Sequence, residues 1–100
     1  MTTNASSLLL QGRRILVTGA ARGLGFAFAQ TLCSQGAQVV LADLRAELLD
    51  ASVQCLRDQG HAAHGVCVDV SDPAAVQACA DQAVQLLGGL DGLVNNAAVT

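Results

Sequence analysis

The sequence predicts an α/β fold, a parallel sheet covered by helices on both faces in three layers, and three observations carry the prediction. Four apolar runs alternate with three helical patterns: Ile15-Leu16-Val17, Val39-Val40-Leu41, Val66-Cys67-Val68 and Leu93-Val94. The first run is apolar throughout, as a strand covered on both faces must be. A glycine cluster, Thr18-Gly19-Ala20-Ala21-Arg22-Gly23-Leu24-Gly25, falls between the first run and the first helical pattern.

Taken in order, Arg14–Thr18 is the first strand. Gly23–Gln35 follows as a helix with Leu24, Ala27, Phe28, Thr31 and Leu32 on one stripe, ended by Gly36. Gln38–Asp43 is the second strand. A second helix, from about Arg45 to Gln59, carries Leu48, Leu49, Val53 and Leu56 and stops at Gly60. The third strand lies within Ala62–Val70, centred on Val66-Cys67-Val68. Asp72 then caps a third helix that opens with Pro73, since proline is tolerated at the first helical position. Val76, Cys79, Ala80, Ala83, Val84 and Leu87 give that helix one buried face. Gly88-Gly89 closes it, and Leu90–Asn95 is the fourth strand. Right-handed crossovers between parallel strands put them in the spatial order third, second, first, fourth.

Composition narrows the class. Hydrophobic residues make up 52% and charged residues 13% of the 100 residues, which excludes disorder and leaves one domain at most. Net charge is −3 and all five cations are arginine, so neither nucleic acid nor an anionic membrane is the expected partner. No apolar stretch approaches the ~18 residues of a membrane span. Residues 1–11 read as a polar N-terminal tail, without the basic start of a signal peptide. Cys33, Cys55, Cys67 and Cys79 form no C-x-x-C pair and fall on apolar positions, so reduced, mostly buried thiols in the cytoplasm are expected.

The chemistry gathers at the strand ends. Glycines at a strand-to-helix turn let the backbone approach a phosphate, and the helix behind them points unpaired N–H groups at it. Asp43 stands eighteen residues past Gly25, at the end of the second strand, where a carboxylate can accept hydrogen bonds from ribose hydroxyls. Asp69-Val70 ends the third strand and Asn95-Asn96 the fourth. Ligands of open parallel sheets bind at those carboxyl ends.

Together these segments resemble the short-chain dehydrogenase/reductase family. Gly19-x3-Gly23-x-Gly25 resembles its T-G-x-x-x-G-x-G, Asp69-Val70 its adenine-contacting D-V segment, and Leu93-Val94-Asn95-Asn96-Ala97-Ala98 its N-N-A-G segment. The resemblance runs from about Gly12 to Thr100 and implies a Rossmann-type, dinucleotide-binding half-domain over residues 12–100. It further implies that Gly19, Gly23 and Leu24 line the dinucleotide through backbone groups, with Gly25 permitting close helix–strand packing. Arg22 is implied near the adenosine end, Asp43 on the ribose hydroxyls, Asp69 and Val70 on the adenine edge, and Asn96 beside the cofactor. Asn95 is implied to tie the central strands together. Ala98 departs from the family glycine, a change expected to shift its loop without abolishing binding.

The family's catalytic serine and Tyr-x-x-x-Lys pair have no counterpart, and for the pair none is possible, since the chain contains neither tyrosine nor lysine. The resemblance implies hydride transfer between a nicotinamide cofactor and a small alcohol or carbonyl substrate. These 100 residues supply the cofactor-binding N-terminal part, as a fragment or short product inactive alone. A full-length form is expected to be a homo-oligomer. A non-catalytic NAD-binding module is the alternative, and an S-adenosylmethionine site a weaker one. A module would leave the fourth strand an open edge carrying Leu90, Leu93 and Val94.

NAD is expected over NADP, because a carboxylate at Asp43 repels a 2′-phosphate. Arg22 pulls the other way, and Arg45 is expected to point to solvent. His61 and His64 read as solvated loop histidines with no clear third metal ligand. Glu47, Asp50, Arg57 and Asp58 read as a solvated helix face. The absence of lysine excludes a P-loop, and no serine has a nucleophile-elbow context.

Overall fold

The computed structural model describes residues 9–96. Residues 1–8 of the expected tail lie outside them, as do Ala97 and Ala98 of the fourth motif. The order is β1 (Arg14–Thr18), α1 (Gly23–Ser34), β2 (Gln38–Asp43), α2 (Ala46–Asp58), β3 (Ala63–Cys67), α3 (Pro73–Leu87) and β4 (Gly92–Asn95). All pairings are parallel and the sheet order is β3-β2-β1-β4, so the predicted Rossmann-like half sheet is what forms.

Register follows the period of two. Val17 of β1 lies opposite Leu41 of β2 and Val94 of β4, and Thr18 opposite Ala42 and Asn95. Alternate residues therefore feed two cores. Ile15, Val17, Val39 and Leu41 pack under α1 and α2 with Ala29, Cys33, Leu49, Val53 and Leu56. Leu16, Val40, Ala42 and Val66 face the other way, onto Cys79 and Ala83 of α3. This is the three-layer arrangement that strands apolar on both faces require.

The third helix starts as its sequence dictates. Asp72 accepts a hydrogen bond from the Ala74 N–H at 3.0 Å, and Pro73 occupies the first turn. Such a cap contributes about 1 kcal/mol. At the opposite edge of the sheet the Arg14 guanidinium grips the Asp91 carboxylate and donates to the Gly88 carbonyl at 3.1 Å. That clamp fixes the α3–β4 turn to the start of β1. Before β1, the Leu10 N–H donates to the Gln35 carbonyl at 2.8 Å, docking the incoming chain on the end of α1.

Several local expectations shift. The buried side of α1 is Gly25, Ala29 and Cys33, one position round from the predicted stripe, while Leu24 is 59% and Phe28 41% exposed. Small residues at i, i+4 and i+8 let α1 lie close to the sheet, and hydrophobicity alone ranks the larger side chains first. β3 centres on Gly65 rather than Cys67, because its ladder with β2 runs from Ala63 to Cys67 and ends with Asp43. His64 thus lies within a strand, beside Arg57, and not in a loop. β4 begins at Gly92, two residues later than predicted, and as an edge strand leaves Leu93 half-exposed.

The cysteines divide evenly. Cys33 and Cys79 are buried, whereas Cys55 and Cys67 are exposed, so burial holds for half of the expected set. Burial pushes the Cys33 thiol up to about 11 and raises that of Cys79 too. Since the thiolate is the reactive form, a water-soluble disulfide reagent is expected to modify Cys55 and Cys67 in the native protein. Cys33 and Cys79 should react only once denaturant is added. Four thiols reacting at one native rate would contradict the packing of α1 and α3.

Candidate functional site

Three of the four strand ends and the glycine loop meet in one cleft. It has a volume of about 540 Å³ and is lined by Gly19, Arg22, Gly23, Asp43, Leu44, Arg45, Asp69, Val70, Ser71 and Asn96. Seven of the nine residues expected from sequence line it. Gly25 sits behind the wall, packed on Gly19 and Asn96. Leu24, exposed on α1, does not border it.

The loop is built by backbone geometry. Gly19 and Gly23 have φ of +63° and +62°, the left-handed region that favours glycine, and these two residues turn the chain from β1 into α1. Helix α1 has no side-chain cap and no acidic residue in its first turn, whereas α3 has the Asp72 carboxylate. Its leading N–H groups therefore remain available beside the cleft. An open cradle walled by glycine and uncapped helix donors fits an anionic phosphate group.

Polar bonds lock the loop to its neighbours. The Ala21 N–H donates to Asp43 Oδ2 at 3.1 Å, and the Ser52 hydroxyl of α2 donates to the Ala21 carbonyl. The Asn96 amide donates to the Gly19 carbonyl at 3.3 Å. Thr18 Oγ1 donates to Asn95 Oδ1 at 2.8 Å, joining β1 to β4 as expected of Asn95. Ser52 and Thr18 were not legible as site supports. Only their burial on the helix and strand faces that meet the loop marks them.

Asp43 is the electrostatic centre of the cleft and is only 3% exposed. Burial alone would raise its carboxyl. Hydrogen bonds from the Arg45 side chain and from the backbone N–H groups of Arg45 and Ala21, with the charge of Arg45, instead bring it down to about 2. The expectation that Arg45 points to solvent is corrected here. Its Nε lies 3.0 Å from Oδ1 and its Nη2 3.0 Å from Oδ2, a two-pronged pair. The reason is local: Arg45 is the N-cap residue of α2, and its own N–H already donates to Oδ1 at 3.0 Å, so the side chain folds back over the carboxylate.

Asp69, two residues past the end of β3 and not at the strand end expected, also lines the cleft. Its Oδ1 accepts from the Ser71 hydroxyl at 2.6 Å and the Ser71 N–H at 3.0 Å, which hold its carboxyl below the usual range. Among the described residues, no group of three or more His, Cys, Asp or Glu is placed to hold a metal ion, and no helix is long and apolar enough to cross a membrane.

A glycine turn at the carboxyl end of β1, with a carboxylate at the end of β2, is the arrangement of a Rossmann-like fold. Residues 13–100 match the short chain dehydrogenase family, and the chain belongs to that family. It is 51% identical over 84 residues to an uncharacterized oxidoreductase of Mycobacterium tuberculosis, a match covering 84% of this chain and 34% of that protein. A short-chain dehydrogenase/reductase from Burkholderia phymatum, solved in complex with NAD, superposes with a TM-score of 0.80 at 40% identity, over 84% of this chain and 30% of that one. A short-chain dehydrogenase from Burkholderia cenocepacia, solved with NADP, gives 0.79 at 41% identity, over 86% and 36%. The chain thus spans about a third of the length of the curated relatives it matches, 34% for the M. tuberculosis protein.

Proposed function

We propose that residues 12–100 form the NAD(H)-binding part of an oxidoreductase that moves hydride between a nicotinamide cofactor and a small alcohol or carbonyl substrate. One observation carries the reading: Gly19 and Gly23, Asp43, Asp69-Val70 and Asn96, separated in sequence, line a single cleft. Family membership and the NAD and NADP complexes of similar structures support it. Bound there, the dinucleotide would supply the hydride donor or acceptor. The chain's own part is to hold it. Backbone at Gly19 and Gly23 cradles the phosphates, Gly25 keeps α1 close, Asp43 accepts from the adenosine ribose, and Asp69 and Val70 border the adenine, whereas Leu24 lies outside the cleft. Asn96 braces the loop beside the cofactor, with Arg22 at the adenosine end.

The residues that move the substrate proton in this family are tyrosine and lysine, and the chain contains neither. On this reading the 100 residues bind nucleotide and turn over no alcohol by themselves. A cytoplasmic location, a homo-oligomeric full-length form and no role for nucleic acid or membrane belong to the same proposal.

NAD is favoured over NADP because Asp43, ionised at neutral pH, lines the cleft and on this reading would repel a 2′-phosphate on the ribose it binds. Titration of the protein with each dinucleotide, followed by calorimetry, tests both statements. Tighter binding of NAD is expected. Tighter NADP would remove Asp43 from the ribose, and binding of neither would overturn the function.

A further inference from the structure

Ala20, Ala21 and Arg22 carry three successive N–H groups of the glycine loop, and they differ in what they serve. The Ala20 N–H donates to the Ala42 carbonyl at 3.2 Å, and the Ala21 N–H to Asp43 Oδ2 at 3.1 Å. Among the described residues the Arg22 N–H has no acceptor, although the Arg22 carbonyl accepts from the Phe26 N–H at 3.3 Å. Arg22 itself lines the cleft.

The direction of that N–H is set by the peptide it belongs to. In a planar trans peptide the C=O of one residue and the N–H of the next point in opposite directions. The Ala21 carbonyl accepts from the Ser52 hydroxyl of α2. The Arg22 N–H therefore points away from α2, on the side where Arg22 borders the cleft. Ser52 is out of character with its surroundings. It lies in the middle of α2, is 8% exposed, and the other buried residues of that helix are Leu49, Val53 and Leu56. A serine inside a helix is less favourable than alanine, and its hydroxyl commonly returns to a carbonyl of its own helix. This one crosses to the loop instead. Ser52 does not line the cleft, so whatever it does for a ligand passes through the Ala21–Arg22 peptide.

We infer that Ser52 is a positioning residue of the dinucleotide site, holding the Ala21 carbonyl so that the Arg22 main-chain N–H is aimed at an oxygen of the dinucleotide's ribose–phosphate backbone. The inference rests on the reading of the cleft as that site. Asp43 cannot do the same work, because it grips the preceding peptide through the Ala21 N–H. Without the Ser52 hydroxyl, the Ala21–Arg22 peptide is free to rotate and to turn its carbonyl oxygen toward the ligand. An oxygen there repels the atom that the N–H attracts. Loss of one main-chain donor to an anionic oxygen corresponds to about five- to thirtyfold in affinity.

The test is an amide-resolved NMR titration with whichever of NAD and NADP binds more tightly, alongside its dissociation constants for the unaltered protein, Ser52→Ala and Val53→Ala. The dinucleotide should move the Arg22 amide proton downfield in the unaltered protein. In Ser52→Ala that shift should vanish and affinity should fall about five- to thirtyfold. Val53 neighbours Ser52 on α2 but packs toward Gly65 of β3. Val53→Ala should lower the urea midpoint while keeping both the Arg22 shift and the affinity. Equal losses of affinity in the two variants would make Ser52 merely structural and overturn the inference. An unchanged affinity in Ser52→Ala would overturn it too, as would an Arg22 amide that the bound dinucleotide leaves unmoved in the unaltered protein; all three leave the site reading standing. An unaltered protein that binds neither dinucleotide would overturn the site reading and the inference with it.

Discussion

Gly25→Ala is expected to destabilise the protein by about 2–3 kcal/mol and to abolish dinucleotide binding. Two effects of opposite sign compete at this position. In the first turn of a helix, alanine for glycine is favourable by up to about 1 kcal/mol through backbone entropy. Against that, a Cβ built on Gly25 falls within the van der Waals envelope of the Gly19 carbonyl oxygen, 2.9 Å from the Gly19 carbonyl carbon and 2.8 Å from the Asn96 amide nitrogen. The obstructing atoms are mainly backbone of the loop itself and cannot swing aside as a flexible side chain could. Relief requires α1 to lift from β1 or the Gly19 peptide to turn, and either one opens the cradle. Overpacking of this kind exceeds the propensity gain, so the net sign is destabilising. Urea unfolding and an NAD titration on the same variant check both halves. A neutral or stabilising substitution would show that α1 does not approach the loop as closely as the fold requires.

That contact also shows what the sequence could and could not reveal. The glycine positions, the ends of β1, β2 and β4 and the order β3-β2-β1-β4 were legible because each follows from a simple rule: apolar runs, glycine spacing and right-handed crossovers, whereas β3 stops at Cys67, short of the expected Asp69-Val70. Asp43 was legible because the second strand had to end there. The stripe of α1 was not, since packing on a glycine loop selects Gly25, Ala29 and Cys33 over larger apolar neighbours, a choice made by distance and not by hydrophobicity. The direction of Arg45 is hidden from the sequence for a related reason. Two residues from a carboxylate at a strand end, its direction depends on whether the N-cap backbone turns the side chain back, which no count of charges reveals. Ser52 is similar: its hydroxyl serves the Ala21 carbonyl only because α2 crosses beneath the loop.

Asp43→Ala should cost about 3 kcal/mol and weaken NAD binding about ten- to hundredfold, by two separable routes. The first is structural. Ala21 is 2% exposed, and its N–H would lose the Asp43 acceptor, leaving a buried donor unpaired at a cost of about 1–3 kcal/mol. The second is the charge, which Asp43→Asn isolates by keeping the shape. The folded carboxyl is held at about 2, below its ordinary 3.8, so the native state favours the ionised form. The corresponding stabilisation is about 2 kcal/mol at neutral pH. A depressed carboxyl contributes above the unfolded value and loses its contribution as protons bind the native state. This contribution is therefore complete above about pH 4 and disappears as pH falls from 3.8 through about 2. The stability gap between the unaltered protein and Asp43→Asn, followed by urea midpoints from pH 7 downward, should hold level to about pH 4 and close below it. A gap that stays constant into acid would mean that the Asp43 charge does not stabilise the fold. Its pairing with Arg45 would then have to be explained by the nucleotide alone.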